Sequence, residues 1–566
     1  MTGAADIDRT VGDAVTALSR GETAWGALPL RGRRVLLERL RGLTLAHADE
    51  WVRVAGRIKR LDPRSPLMGE EWLSGPYPLL AAAGALAESL RELESGRGPA
   101  DGLRISRAPG GRSAVHVLPH DIFDRLLLSG YTAEVWTTPG VDAATVRAGA
   151  GLGQRTPQRT GGICAIMGAG NVSSIAPLDT LYALYAHNQV VALKLNPVTD
   201  PLLPIFEKIF APYVEAGFVR ILTGGAEAGA ALVHHPDVAA VHMTGSAVTH
   251  DAIVFGAGAT SPGRSPILTK PISSELGGVS PTIVVPGDWS ARDLRFHAQH
   301  VATQRLHNGG YNCVASQVVV VSSDWPQKRQ FLRELERAMG EAPARDAYYP
   351  GSDDRVARVR EHYPAAKPVG PAGSRTLVLG VAPEKGEYAL TEEFFAPALA
   401  VTELPGRGIT FLRAAVRTAN ECFAGTLGVN LLVDPATRRK LGAAFEEALA
   451  DLRYGTIAVN AWTAFGYLTA RATWGAFPGH TIQDVQSGIG VVHNALLLDH
   501  TERTVVRGPF RPMPRSLAHG DLTFAPKPPW FTGNRTAAAT GRLLTRFAAE
   551  PGWSKLPAIF LSALRG

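Results

Sequence analysis

The chain has 566 residues, too many for one ordinary core and enough for two or three domains. Its 45% apolar and 19% charged composition is that of a folded globular protein, which excludes a disordered one. The formal net charge is +7, and from Thr501 to Gly566 ten Lys/Arg stand against three Asp/Glu, so the excess equals that of this last segment. The rest is formally neutral, which removes a whole-protein argument for a nucleic-acid partner. The spaced, proline-interrupted charges of the segment suggest a solvated or subunit-contact arm.

Three cysteines, Cys164, Cys313 and Cys422, are too scattered for a disulfide framework, and no CxxC pair suggests a zinc site. A reducing, cytoplasmic setting is expected. The opening MTGAADIDRTVGDAV lacks the apolar core of a secretory signal. No stretch approaches the ~18 uninterrupted apolar residues of a membrane span.

In chain order, residues 1 to about 159 begin with helices. WGALPLRGRRVLLERLRGLTLAHADEWVRVAGRIKR and YPLLAAAGALAESLRELES repeat apolar residues every three or four positions. ISRAPGGRSAVHVLP and AEVWTTPG then read as strands closed by Gly/Pro turns. From about Thr160, short apolar strands such as ICAIMG and VVALKL alternate with helical runs such as TDPLLPIFEKIFAPYVEAG, the pattern of a parallel sheet with crossover helices. After Gly277 a second series follows: SPTIVVPG, NCVASQVVVVSS, GTLGVNLLVD and GTIAVNAW. From about Val491 the chain turns proline-rich in RGPFRPMP and FAPKPPWF, with one short helix in GRLLTRFAAE. No internal repeat is found.

Two motifs carry candidate chemistry. SSELGGVSP holds Glu275 and HNGGYNC holds Cys313. A partly ionised thiol is a strong nucleophile near neutral pH, and a carboxylate nearby can activate water to release a covalent intermediate. Upstream, the strand VAAVHMT runs through Gly245 into Ser246 and a helix-like stretch, which presents backbone amides and a hydroxyl to a phosphate. Gly225 and Gly229 lie in GGAEAG, a departure from GxGxxG. Lys194 closes the strand VVALKL, placing a cation at its carboxyl end. Asn171 lies among small residues in GAGNVSS, and Glu393 and Phe395 lie in TEEFFAP.

In the order of these motifs, from about Thr160 to about Gly490, the chain resembles the aldehyde dehydrogenase superfamily. The resemblance implies an α/β fold with a Rossmann-type parallel-sheet cofactor domain, an α/β catalytic domain and an extended oligomerisation arm. The domains are expected at 1–274, with the arm hairpin at about 141–159, at 275–490, and at 491–566 as a basic C-terminal extension or arm. It also implies an NAD or NADP cofactor, an aldehyde substrate, and a homodimer or homotetramer without a metal.

By the same resemblance Cys313 is the nucleophile, Glu275 the base that activates water, and Asn171 an oxyanion donor. Ser246 would contact the cofactor pyrophosphate and Gly225 and Gly229 flank its adenine side. Glu393 would hold the nicotinamide ribose, with Phe395 beside the ring. Where relatives read KPxE, this chain reads Lys194, Leu195, Asn196, Pro197. Loss of the ribose-gripping glutamate leaves room for NADP. Asn171 lacks the usual PWNFP surroundings, and Tyr311, standing where many members have glutamine, is expected to narrow or polarise the mouth beside Cys313. The segment from Val115 to Gly140, with Trp462, Phe465, Tyr467 and Trp474, is expected to line the substrate tunnel, and these aromatics suggest an apolar or aromatic aldehyde. Alternatives are a CoA-acylating aldehyde dehydrogenase or acyl-CoA reductase, disfavoured by Glu275, and a non-catalytic scaffold acting as a binding protein, disfavoured by retention of Cys313, Glu275 and Asn171 together.

Overall fold

A computed structural model describes residues 4–256, 258 and 265–566. Helices Ala4–Ala27, Leu30–Ile58, Met68–Ser74 and Pro76–Glu94 come first. Val11, Val15, Leu18 and Trp25, and then Leu36, Leu37, Leu40 and Trp51, are buried at helical spacing. They share a core with the first parallel sheet. The buried Arg33 guanidinium locks this contact: it donates to Gln154 Oε1 at 2.8 Å and to the Pro157 carbonyl at 3.0 Å, and stacks over Trp25 at 4.1 Å.

That sheet has six strands in the order Gly488–Ile489, Ile272–Leu276, Val238–Gly245, Ile163–Met167, Val190–Lys194, Val219–Leu222. All neighbours are parallel except the short Gly488–Ile489 strand. The chain starts in the middle at Ile163–Met167, runs to one edge, then returns to build the other side. This reversal opens a crevice at the carboxyl ends of Ile163–Met167 and Val238–Gly245, the place where open α/β sheets bind ligands.

The second sheet has eleven strands: Ile105–Ala108, Arg112–Leu118, Thr132–Thr137, Thr501–Arg507, Thr456–Val459, Gly428–Leu432, Ser280–Val284, Ser316–Ser322, Ala398–Leu404, Arg375–Val381, Lys367–Val369. Its centre is parallel, and both margins are antiparallel.

Three expectations are corrected. Residues 141–159 form no hairpin: Asp142 caps a helix, Ala143–Gly149, by accepting from the Thr145 N–H at 2.8 Å, and a 3-10 turn, Leu152–Arg155, follows. The antiparallel strands lie earlier, at 105–137. The 274/275 boundary also fails, because the strand Ile272–Leu276 belongs to the six-stranded sheet and the second sheet's central series begins at Ser280. Finally, the stretch from Val491 is not an arm. Thr501–Arg507 inserts between Thr132–Thr137 and Thr456–Val459 of its own chain, and Ala537–Ala549 packs on Met68–Ser74 and Pro76–Glu94. Several of its positive charges are engaged: Arg507 pairs with Glu134 at 3.0 Å and Glu446 at 2.7 Å, Arg511 and Arg515 with Asp293, and Arg542 with Asp49 at 2.9 Å.

Candidate active site

After the helix Ala291–Leu306, three consecutive residues take left-handed backbone angles: Asn308 at φ 55°, Gly309 at 69° and Gly310 at 84°. Only glycine and asparagine adopt this region cheaply, which is the physical content of HNGGYNC. The turn delivers Cys313 to the gap between the two sheets, just before Ser316–Ser322. Asn308 Nδ2 donates to the carbonyls of Asn171 and Tyr311 at 3.0 and 3.1 Å, and its N–H donates to Glu70 Oε2 at 3.0 Å. Arg345 pairs with the same Glu70 carboxylate. Asn171 Nδ2 donates to the Tyr311 carbonyl at 2.9 Å, so it faces the Cys313 loop.

Glu275 lies on the strand Ile272–Leu276 and is 1% exposed. The Cys313 thiol donates to Glu275 Oε1 at 3.3 Å, while Oε2 has no protein partner. Burial raises the Glu275 carboxyl, and the charge of Asp179 adds to this; Trp474, His493 and Cys313 work the other way. Burial likewise pushes the Cys313 thiol well above its ordinary value, reinforced by the charges of Glu275 and Glu393. Both effects favour the protonated thiol, which is directed at Glu275 Oε1.

Behind Glu275 is a buried polar cluster that sequence reasoning missed. Asp179 accepts from Thr244 Oγ1 at 3.1 Å and faces His242 Nε2 at 3.5 Å and His493 Nε2 at 3.3 Å. Burial acts to raise the Asp179 carboxyl, but the two histidines outweigh it and its pKa falls. The available signal was a single carboxylate in the otherwise apolar helix Ile175–Tyr185.

A cleft of ≈ 680 Å³ leads from Cys313, Glu275 and Asn171 along the strand ends, within the range of small-molecule sites. It brings together Lys194, Gly225, Gly229, Ser246, Glu393 and Phe395. Ser246 caps the helix Ala247–Phe255 by accepting from the Thr249 N–H at 3.2 Å, and Gly225 precedes the helix Ala226–Val233. Both helix starts present backbone amides to the cleft. Lys194 is lowered by burial, with Asp200 opposing, and Asp200 is itself raised by burial. Asp200 Oδ1 is buried without a partner, a carboxylate beside Lys194 that sequence reasoning did not single out.

Burial pushes Glu393 up to about 7, against the pull of Arg305 and Arg355. Its Oε1 is buried with no partner, so it stands ready for a hydroxyl donor. Gly277 makes this possible, because a Cβ there would overlap the Glu393 carboxylate. Tyr349 and Arg355 also line the cleft and were not anticipated; Arg355 stacks over Phe395 at 5.6 Å. An orphaned carboxylate oxygen, two helix starts and a cleft of this size fit a dinucleotide.

On the opposite side of Cys313 is a small cavity of ≈ 60 Å³, walled by Trp462, Phe465, Tyr467 and Trp474. Trp462 Nε1 donates to the Val314 carbonyl at 3.1 Å, and Tyr467 and Ser174 share a hydroxyl hydrogen bond of 2.7 Å. Tyr311 corrects its expectation: its ring is buried among Tyr348, Tyr349 and Phe395, bonded to Ser352 Oγ, and lines neither space at Cys313. Among the described residues no group of three His, Cys, Asp or Glu side chains is placed to hold a metal, and no helix is long and apolar enough to cross a membrane.

Residues 141–353 match the Aldehyde dehydrogenase family. The chain is similar to an aminoacetaldehyde dehydrogenase of Pseudomonas aeruginosa, 28% identical over 233 residues, which cover 38% of this chain and 44% of that relative. The match thus spans less than half of the relative's length. Among solved structures it resembles the gamma-glutamyl-gamma-aminobutyraldehyde dehydrogenase of Burkholderia cenocepacia J2315, with TM-score 0.59, 21% identity, and 89% of this chain and 88% of that chain covered. It also resembles an NADP-dependent glyceraldehyde-3-phosphate dehydrogenase of Bacillus halodurans C-125, with TM-score 0.58, 17% identity, and 88% and 91% covered. Residues 141–353 thus match the aldehyde dehydrogenase family in sequence, and the chain shares its fold with solved aldehyde dehydrogenases.

Proposed function

We propose that the protein oxidises an aldehyde to the carboxylic acid with NAD or NADP. The observation that supports this best is the Cys313 thiol donating to Glu275 Oε1 at 3.3 Å where the cofactor-sized cleft meets a separate apolar cavity. Glu275 accepts the thiol proton as sulfur adds to the aldehyde carbon, giving a thiohemiacetal. One Asn171 Nδ2–H is held by the Tyr311 carbonyl, and the other is free to meet the oxyanion; such a donor contributes roughly 10²- to 10³-fold in rate. The nicotinamide, when bound, supplies the hydride acceptor. Glu393 would hold its ribose, Phe395 its ring, Ser246 the pyrophosphate, and Gly225, Gly229 and Lys194 the adenosine side. Once it has passed the thiol proton on to solvent, Glu275 deprotonates the water that cleaves the Cys313 thioester and frees the acid.

The cofactor domain is assigned to the six-stranded sheet with its helices and the catalytic domain to the eleven-stranded sheet. Three free cysteines favour the cytoplasm. Homo-oligomers form, in this proposal, away from the strand Thr456–Val459, whose outer edge is already paired with Thr501–Arg507; light scattering at micromolar concentration tests this.

The deciding experiment is a panel of aldehydes assayed with NAD and NADP, with and without CoA. Oxidation without CoA is expected, abolished by Cys313→Ala and little changed by Cys164→Ala or Cys422→Ala. Strict dependence on CoA would replace water by a thiol acceptor and overturn the hydrolytic role of Glu275.

A further inference from the structure

The cavity at Cys313 adjoins a second one of ≈ 240 Å³: Leu73, Phe465, Leu468 and Trp530 line both, so these side chains stand between the two spaces. Three parts of the chain that are remote in sequence build the outer one. The helix Pro76–Glu94 supplies Tyr77 and Leu80, the segment after Arg112–Leu118 supplies Phe123 and Leu127, and the C-terminal region supplies Phe547 and Phe560. Rings pack around the junction, Tyr131 on Phe465 at 4.8 Å and Phe465 on Trp530 at 5.6 Å, and Phe123 meets Phe547 farther out at 5.3 Å.

The charged groups around this cavity make bonds within the protein, although Arg41 Nε has no partner. Arg41 Nη2 donates to the carbonyls of Ala548 and Ala549, and Arg471 pairs with Glu88. Asp121 caps Ile122–Leu127 through the Asp124 N–H, and Asp124 accepts from the His120 N–H at 2.8 Å. Of these only Arg471 and Glu88 neutralise each other, so the preference for a hydrocarbon rests on the aromatic and aliphatic walls that make up most of the lining.

Resting on the aldehyde oxidation proposed above, we infer that the substrates are aldehydes with a long apolar chain, whose carbonyl sits at Cys313 and whose tail passes between Phe465, Leu468 and Trp530 into the outer cavity. A dry cavity of about 150 Å³ takes the six carbons of benzene, so the outer space suits a tail of roughly ten carbons. The tail and the cofactor occupy opposite sides of the thiol and do not compete. The C-terminal segment is thus part of the substrate wall.

The test compares kcat/KM for propanal, hexanal, decanal and succinic semialdehyde, and measures decanol binding to the intact protein by calorimetry. Full burial of each added methylene raises kcat/KM by up to about fourfold; decanal should exceed propanal by at least about a hundredfold. Decanol should bind one to one. Leu468→Trp, at the shared neck, should cut the decanal-to-propanal ratio by tenfold or more with the thermal midpoint retained. Oxidation of propanal or the semialdehyde as well as decanal would overturn the tail site while leaving aldehyde oxidation standing. Decanol binding in a protein that oxidises no aldehyde would support the apolar site and overturn the activity; failure of decanol to bind would overturn the site. Because the wild-type measurements stand alone, a Leu468→Trp protein that does not fold leaves the inference open to refutation.

Discussion

Glu275→Gln separates the two influences that the carboxylate exerts on Cys313. In the resting site the thiol donates to Glu275 Oε1 at 3.3 Å, and after burial the Glu275 charge is the next cause holding the thiol above its ordinary pKa. Two unit charges about 4 Å apart interact by about 4 kcal/mol at an effective dielectric constant near 20. Burial raises the Glu275 carboxyl as well, and the repulsion acts only in its ionised form, which reduces this figure. Even about 1.4 kcal/mol is a factor of ten in thiolate population. The amide keeps the shape and removes the charge. Alkylation of Cys313 by iodoacetamide, followed by mass spectrometry with Cys313→Ala as control, should accelerate about tenfold or more at pH 7, and its pH profile should move to lower pH. Steady-state aldehyde oxidation should meanwhile fall, with one burst of reduced cofactor per site preceding the slow phase. A Gln variant alkylated no faster than wild type would refute the electrostatic account of the resting thiol; equal loss of burst and steady state would show that acceptance of the thiol proton, and not water activation, is the role the variant loses.

Three further outcomes are expected. Burial raises Glu393 to about 7 from 4.5, so folding stability falls as pH rises through that window and the full penalty is present above it; Glu393→Gln should gain on the order of 1 to 3 kcal/mol over wild type at pH 8 and nothing at pH 4, read from denaturant melts, while weakening cofactor binding. Gly277→Ala must displace the Glu393 carboxylate and should raise the cofactor KM at least about tenfold; an unchanged KM would remove Glu393 from the ribose. Wild type should use NADP at least competitively with NAD, and Pro197→Glu should shift preference toward NAD by raising the NADP KM, since hydrogen bonds to a charged group contribute about 1.5 to 3 kcal/mol. A wild-type enzyme several hundredfold selective for NAD, or a variant with unchanged selectivity, would move ribose recognition elsewhere, with Asp200 beside Lys194 the first residue to examine.

The parts of the fold legible in the sequence were those whose burial is uniform. ICAIMG and VVALKL read as strands because both faces of a covered parallel sheet are apolar, and they are Ile163–Met167 and Val190–Lys194. The positions that need unusual backbone, Asn308 to Gly310, fall on an asparagine and two glycines. Asp179 was not legible, because its role depends on His242 and His493 arriving from strands far along the chain. Tyr311 misled because position beside the nucleophile says where the backbone runs, and the ring turns away toward Tyr348 and Tyr349.

The C-terminal region shows most directly why composition failed. TERTVVR carries five charged or polar side chains and reads as an exposed arm, yet Thr501–Arg507 is an inner strand. Arg503 is buried because its Nη1 donates to the Leu449 carbonyl at 3.0 Å and it pairs with Glu502, and Arg507 because Glu134 and Glu446 converge on it. A guanidinium is tolerated inside only where such partners are supplied, and those partners come from three different elements. Net charge counts the cations of a segment without their partners, so it could not distinguish a solvated arm from a strand whose charges are consumed by folding. The same insertion fixes the position of everything after it: with Thr501–Arg507 held beside Thr132–Thr137, the following chain lies against the helices at 68–94, and Trp530, Phe547 and Phe560 reach the outer cavity. The arginine pairs and the apolar chamber are therefore linked. Losing Glu134 as a partner should loosen the strand and, through it, the wall of the chamber before it disturbs the Cys313–Glu275 pair on the far side of the aromatic junction.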